Sequence, residues 1–118
     1  MCHVLVIEDE PLIADYIADL AEQGGATSIA FATSEADAIA SARDCFPDLI
    51  LSDVDLKAGG RGPLAVSAIQ TTIGAVPVIF ITGTPEDCEP CEDAAAILSK
   101  PIIAGLVVSE IQRVAPQA

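Results

Sequence analysis

The 118-residue chain is 52% hydrophobic but only 3% aromatic, so its core must be built from Val, Ile, Leu and Ala. Eighteen carboxylates against five Lys and Arg give a formal net charge of −13. Such a surface repels phosphate backbones and anionic lipid, which argues against direct nucleic-acid or membrane binding but favours a local divalent-cation site.

No apolar run approaches the roughly 18 residues of a membrane helix. No basic stretch with a long apolar run precedes Glu8. A cytoplasmic protein with one domain over residues 1–118 is therefore expected.

Along the chain, short apolar runs alternate with stretches of helical period. His3-Val4-Leu5-Val6-Ile7 is short, continuous and rich in β-branched residues, as a strand buried on both faces would be. After Glu8-Asp9-Glu10, Pro11 opens a helix with Leu12, Ile13, Tyr16, Ile17 and Leu20 as its apolar face, stopped by Gly24-Gly25. Thr27 to Thr33 reads as a weaker strand. Ser34 then caps a helix whose apolar face includes Ala36, Ile39 and Ala40.

Asp48 to Ser52 is a third strand running into Asp53-Val54-Asp55. A glycine-rich loop, Ala58 to Gly62, precedes Pro63 and a helix carrying Leu64, Val66 and Ile69. Pro77 to Ile81 is a fourth strand leading into Thr82-Gly83. Thr84 to Asp93, with two prolines and five carboxylates, is expected to be irregular. A weak fifth strand, Ala95 to Ser99, meets Lys100-Pro101, and a last helix covers roughly Ala104 to Val114. Strands alternating with helices in this way predict a parallel sheet with helices on both faces.

Cys88-Glu89-Pro90-Cys91 is a CxxC, a spacing used in redox and zinc chemistry. It has no second ligand pair, His3 is distant in sequence, and its neighbours are acidic. Acidic neighbours disfavour a thiolate, so reduced loop cysteines are expected.

Ligands of open α/β sheets bind outside the carboxyl ends of the strands. Those ends carry Glu8 and Asp9, then Asp53 and Asp55, then Thr82, then Lys100. In a 2-1-3-4-5 strand order Glu8, Asp9 and Asp53 converge, and crowded carboxylates need a proton or a cation. Oxygen donors without His or Cys match Mg²⁺ rather than zinc. Lys100 and the Thr82 hydroxyl complete a set able to hold a phosphoryl group, with Asp53 as the carboxylate acceptor.

Val4 to Ile13, Pro47 to Leu56 and Ser99-Lys100-Pro101 resemble, in order and spacing, the opening, the phosphoacceptor segment and the lysine–proline turn of response-regulator receiver domains. The resemblance implies a flavodoxin-like (βα)5 fold and a two-component phosphorelay role without enzymatic turnover of its own. It makes Glu8, Asp9, Asp53 and the Asp55 carbonyl the Mg²⁺ ligands, Asp53 the phosphoacceptor, Thr82 the switch hydroxyl and Lys100 the phosphate partner. It also implies a cis bond before Pro101. The partners it implies are a histidine kinase or histidine phosphotransfer protein and a downstream protein, with the chain a monomer or weak homodimer.

Phe80-Ile81-Thr82-Gly83 is similar to the Phe-Ala-Thr-Gly run of single-domain receivers in bacterial general-stress signalling. Ile97 stands where the family often has an aromatic switch residue, so the usual coupled rotamer change is not expected. With the chain ending at Ala118, the expected output is a docking face on the last helix and the acidic segment, or competition for phosphoryl groups.

Two alternatives are weighed against this. A receiver acting without phosphorylation would retain the fold but not need the complete acid, hydroxyl and lysine set. Asp53-Val54-Asp55 also resembles the Asp-x-Asp of haloacid-dehalogenase-type phosphatases, but that arrangement requires the pair after a first strand and a substrate cap.

Overall fold

Extended, β-branched runs and alanine-rich helical runs alternate as the sequence predicts. The computed structural model describes residues 1–91 and 93–115. Strands β1 (His3–Ile7), β2 (Ser28–Ala32), β3 (Leu49–Ser52), β4 (Val78–Thr82) and β5 (Ala96–Ser99) form one sheet in the order β2-β1-β3-β4-β5. Every pairing is parallel. The connections carry helices α1 (Pro11–Gln23), α2 (Glu35–Asp44) and α3 (Gly62–Ile73), and α4 (Ala104–Val114) follows β5. This is the flavodoxin-like arrangement, with four helices among the described residues rather than five.

Side chains alternate across the strands and divide the interior into two layers. Val4, Val6, Leu49, Leu51, Ile79 and Ile81 face α1 and α4 on one side. Leu5, Ile7, Ile50, Val78 and Phe80 face α2 and α3 on the other. Phe80 is a fully buried aromatic in an otherwise aliphatic core.

The strands obey the sequence reading more closely than the helix faces do. In α1 the buried residues are Ala14, Ile17, Ala18, Leu20 and Ala21, whereas Leu12 is 84% exposed and Tyr16 is exposed as well. In α2 the buried residues are Ala38 and Ala42; Ala36 and Ala40 face solvent and Ile39 is half-buried. Leu64 of α3 is exposed beside buried Ala65, Val66 and Ile69. Small residues let these helices lie close to the sheet, so alanines occupy the interior where bulk alone would nominate Leu or Tyr.

Ser34 caps α2 as expected, its Oγ accepting the Asp37 N–H at 3.1 Å. Between β4 and β5 there is one 3-10 turn, Pro85–Asp87, and no α-helix among the described residues. Glu92, one of the acidic residues of this segment, lies outside the described residues. The Lys100–Pro101 bond is cis, as is Glu89–Pro90.

The expectation for the CxxC is corrected: Cys88 and Cys91 are joined by a disulfide. The turn brings their Cα atoms to 5.7 Å, within the usual range for the bond. Acidic neighbours weaken a free thiolate, but they do not oppose a formed S–S bond, which carries no charge. Cys2 and Cys45 are free, the first buried and the second exposed.

Candidate functional site

Each predicted site residue stands at or just beyond the carboxyl end of a strand, and ladder hydrogen bonds carried past the strands fix Glu8, Asp53 and Lys100. The Glu8 N–H donates to the Ala32 carbonyl, that of Asp53 to Ile7, and that of Lys100 to Thr82, at 2.9, 2.9 and 2.8 Å. Because β1 and β3 are neighbours, Glu8 and Asp9 meet Asp53. Carboxylate oxygens of these three residues lie within 4.8 Å of one another.

Asp9, Asp53, Asp55, Thr82 and Lys100 line one cleft of about 250 Å³, joined by Glu10, Lys57, Gly83 and Thr84. Glu8 does not line it; its carboxylate is fully buried and held by Lys100. The Lys100 ammonium lies 3.1 Å from Glu8 Oε1 and 3.0 Å from Asp53 Oδ2, joining the two strand ends. The other Glu8 oxygen accepts the Glu10 N–H, and Asp53 Oδ1 accepts the Val54 N–H at 2.6 Å.

Burial pushes the Glu8 carboxyl above its usual range; the Lys100 ammonium and the Glu10 N–H pull it back only in part, and the Asp53 charge adds to the rise. For Lys100 burial alone works against the charge, but the hydrogen bonds and charges of Asp53 and Glu8 together outweigh it and hold the ammonium above the ordinary lysine value.

Thr82 is buried, and its Oγ accepts the Thr84 N–H at 3.1 Å. Asp55 is exposed; its Oδ1 accepts the Lys57 N–H at 2.8 Å, and its backbone forms a bridge with Arg61. Ile97 is 41% exposed and offers no hydroxyl.

Three residues that the sequence reading passed over belong to the site or its frame. Lys57, in a left-handed conformation at φ 55°, sets its ammonium 3.6 Å from Asp9 and 3.4 Å from Glu10. The charge of Asp9, then the contacts with Glu10, raise its pKa. Glu35 accepts the Arg61 N–H at 2.8 Å, tying α2 to the start of α3. Thr84 pairs with Thr82. A basic residue four positions after Asp53 was the available signal for Lys57; nothing in the sequence pattern marked Glu35.

The donor set fits Mg²⁺ on its chemistry: clustered carboxylate oxygens, no imidazole or thiolate among them, and an excess of negative charge over the Lys100 and Lys57 ammonium groups. Asp9, Asp53 and Asp55 face the cleft, while Glu8 stands behind them.

A family model described as the response regulator receiver domain matches residues 4–112. The phyllosphere-induced regulator PhyR of Methylorubrum extorquens is 43% identical over 84 residues, 70% of this chain and 31% of that protein. The receiver domain of Erythrobacter litoralis PhyR, solved by solution NMR, aligns with a TM-score of 0.86 at 33% identity over 99% of this chain and 95% of that one. The anti-anti-sigma factor PhyR of Bartonella quintana aligns with a TM-score of 0.81 at 32% identity, over 96% of this chain and 46% of that one. The chain thus spans about a third of the curated relative and about half of the longer PhyR structure. Receivers of this kind are signalling domains rather than enzymes, which sets aside the phosphatase alternative. The strand order, the match along nearly the whole chain and the likeness to general-stress regulators agree, and the chain belongs to the response regulator receiver domain family.

Proposed function

We propose that residues 1–118 act as one phosphoacceptor receiver, in which Asp53 takes a phosphoryl group from a phosphohistidine donor and thereby reshapes a protein-docking face. The observation that carries this reading is the Lys100 ammonium 3.0 Å from Asp53, opposite a cleft wall of further carboxylates. An oxygen of Asp53 forms the new P–O bond as the P–N bond to the donor imidazole breaks. Asp9, Asp53 and the Asp55 carbonyl would hold Mg²⁺, with Glu8 assisting. The ion supplies positive charge to offset the incoming phosphoryl oxygens.

Lys100 already faces Asp53 and pairs with a second phosphoryl oxygen. Thr82 then exchanges its contact with the Thr84 N–H for a third. Because Thr84 begins the β4–β5 segment, that exchange reaches residues 84–93, and we infer that this segment and α4 form the docking face. The donor is a histidine kinase or histidine phosphotransfer protein. One PhyR relative is titled an anti-anti-sigma factor; that activity belongs to a protein twice as long. We carry over to this chain the receiver role in a stress circuit, in the cytoplasm. No helix among the described residues is long and apolar enough to cross a membrane.

The test is beryllofluoride with Mg²⁺, followed by amide chemical shifts. Shifts centred on residues 53, 82–84 and 100, dependent on Mg²⁺ and lost in Asp53→Ala, are expected. Equal shifts in the Asp53→Ala chain would overturn the reading. Intact mass after incubation with phosphorylated donor proteins identifies the donor.

A further inference from the structure

The Cys88–Cys91 disulfide has no part in the phosphoacceptor chemistry, yet it lies in the segment that leaves the site through Thr82 and Thr84. We propose that it is a thiol–disulfide exchange site, opened by a dithiol reductant and closed by a disulfide oxidant, whose state sets how firmly residues 83–95 are held.

Three observations converge on this pair. The first is local: between β4 and β5 only one 3-10 turn is formed among the described residues, so the covalent link constrains a stretch with little hydrogen bonding of its own. The second is access. Cys88 and Cys91 are half-buried and both line a shallow surface depression with Glu86, Glu89 and Ile97, so a reagent reaches the sulfurs without unfolding the sheet.

The third is connection. Arg61 donates from its guanidinium to the carbonyls of Asp87 and Glu89, the residues on either side of Cys88, at 2.8 and 3.4 Å. The same residue bridges to Asp55 through its backbone and gives its N–H to Glu35. On the inner side Cys88, Cys91 and Ala94 pack against the Phe80 layer, beside a cavity of about 80 Å³ that leaves room for the turn to relax. The disulfide is thus joined through one side chain to the loop that carries Asp55.

The exchange balances. One thiolate of the dithiol attacks a sulfur of the pair, the Cys88–Cys91 bond breaks, and a mixed disulfide forms. The second thiol of the reductant displaces the remaining cysteine. Two electrons and two protons pass to Cys88 and Cys91, and the reductant leaves as a disulfide. Closure is the reverse, with a small-molecule disulfide as oxidant. The neighbouring carboxylates Glu86, Asp87, Glu89 and Asp93 disfavour a free thiolate, which makes the pair a substrate of exchange rather than a catalyst of it. In the reducing compartment proposed above, a disulfide of this kind is transient and redox-responsive rather than a permanent staple.

The experiment is alkylation of the folded full chain, with peptide mapping and amide hydrogen exchange, in the presence and absence of dithiothreitol. After treatment with glutathione disulfide, Cys88 and Cys91 should resist alkylation without carrying glutathione, while exposed Cys45 is found either alkylated or as its glutathione mixed disulfide. Dithiothreitol without denaturant should expose Cys88 and Cys91 to alkylation. The hydrogen-bonded amides of this stretch, Asp87, Cys88, Ala94 and Ala95, should then lose about twentyfold in protection, the size that loop-closure entropy gives for so short a ring. Protection should return on reoxidation, and a C88S/C91S chain should show the faster exchange of the dithiol form with or without reductant. Alkylation of Cys88 and Cys91 after the oxidant, reduction only under denaturing conditions, or identical exchange of 83–95 in both states would each overturn the proposal. No phosphodonor or Mg²⁺ enters the test, so its outcome is separate from that of the phosphoacceptor reading.

Discussion

The α-carbon of Gly62 lies against the carbonyl oxygen of Asp53, so that a Cβ at position 62 would collide with that oxygen and with Ser52 Oγ. Gly62 also gives its N–H to the Val54 carbonyl at 2.9 Å, which seats the start of α3 on the end of β3. Gly62→Ala must therefore displace either the helix or the backbone of Asp53. A loss of about 1–3 kcal/mol is expected from the forced overpacking, read from the urea midpoint. Phosphoryl uptake from a small phosphodonor, followed by intact mass, should fall along with it. Unchanged uptake would show that Asp53 tolerates the shift.

Lys100→Met leaves Glu8 buried with no ammonium beside it. At neutral pH a loss of about 3 kcal/mol is expected, the lower end for removing one partner of a buried pair, since the Lys100 side chain is 22% exposed. The pH dependence follows from the raised Glu8 pKa in the fold. A carboxyl whose folded pKa lies above its unfolded one, about 4.3, stabilises fully below that value, and this contribution disappears as pH rises through the folded pKa. Removing the ammonium raises the folded pKa further. The deficit of Lys100→Met should accordingly shrink toward acid and grow toward neutrality. Urea midpoints of both chains across that range provide the check, and a deficit independent of pH would refute the assignment.

Lys57 occupies the mouth of the carboxylate cluster as a tethered cation. A divalent ion arriving at Asp9 has to displace it. Lys57→Gln should tighten Mg²⁺ binding a few-fold, with the difference narrowing at high salt, because the ammonium is exposed and screened. Amide shifts of Asp9, Asp53 and Asp55 during a Mg²⁺ titration report it. Weaker binding in the variant would mean that Lys57 supports the site instead.

Ser34→Ala tests a part of the frame remote from the chemistry. Helix α2 buries only Ala38 and Ala42, so burial contributes little to it and its cap matters more. A loss of about 1 kcal/mol is expected in urea denaturation, with phosphoryl uptake unchanged.

The strands and the site residues at their ends were legible because each continuous apolar run stops at a charged or hydroxyl residue. Parallel pairing then brings those stops to one edge. The helix faces were less legible. Periodicity ranks Leu12 and Tyr16 above Ala14 and Ala18, yet close packing on the sheet selects the alanines. The contacts of Lys57 and Glu35 depend on loop shape, on φ 55° at Lys57 and 102° at Gly60, which a residue pattern does not encode. The disulfide was misread for a related reason: charge argues about the thiolate, while the turn alone decides whether two sulfurs meet.

All the cleft residues gather where strands end, and the loops entering those strands stand at the opposite pole of the sheet. Ala75, between α3 and β4, belongs to that far pole and is exposed, without the left-handed φ of 95° that keeps position 74 a glycine. It makes a natural anchor for a dye or an immobilising tag. With no tryptophan in the chain and its one tyrosine exposed at α1, an attached reporter offers an optical handle that the aliphatic interior lacks.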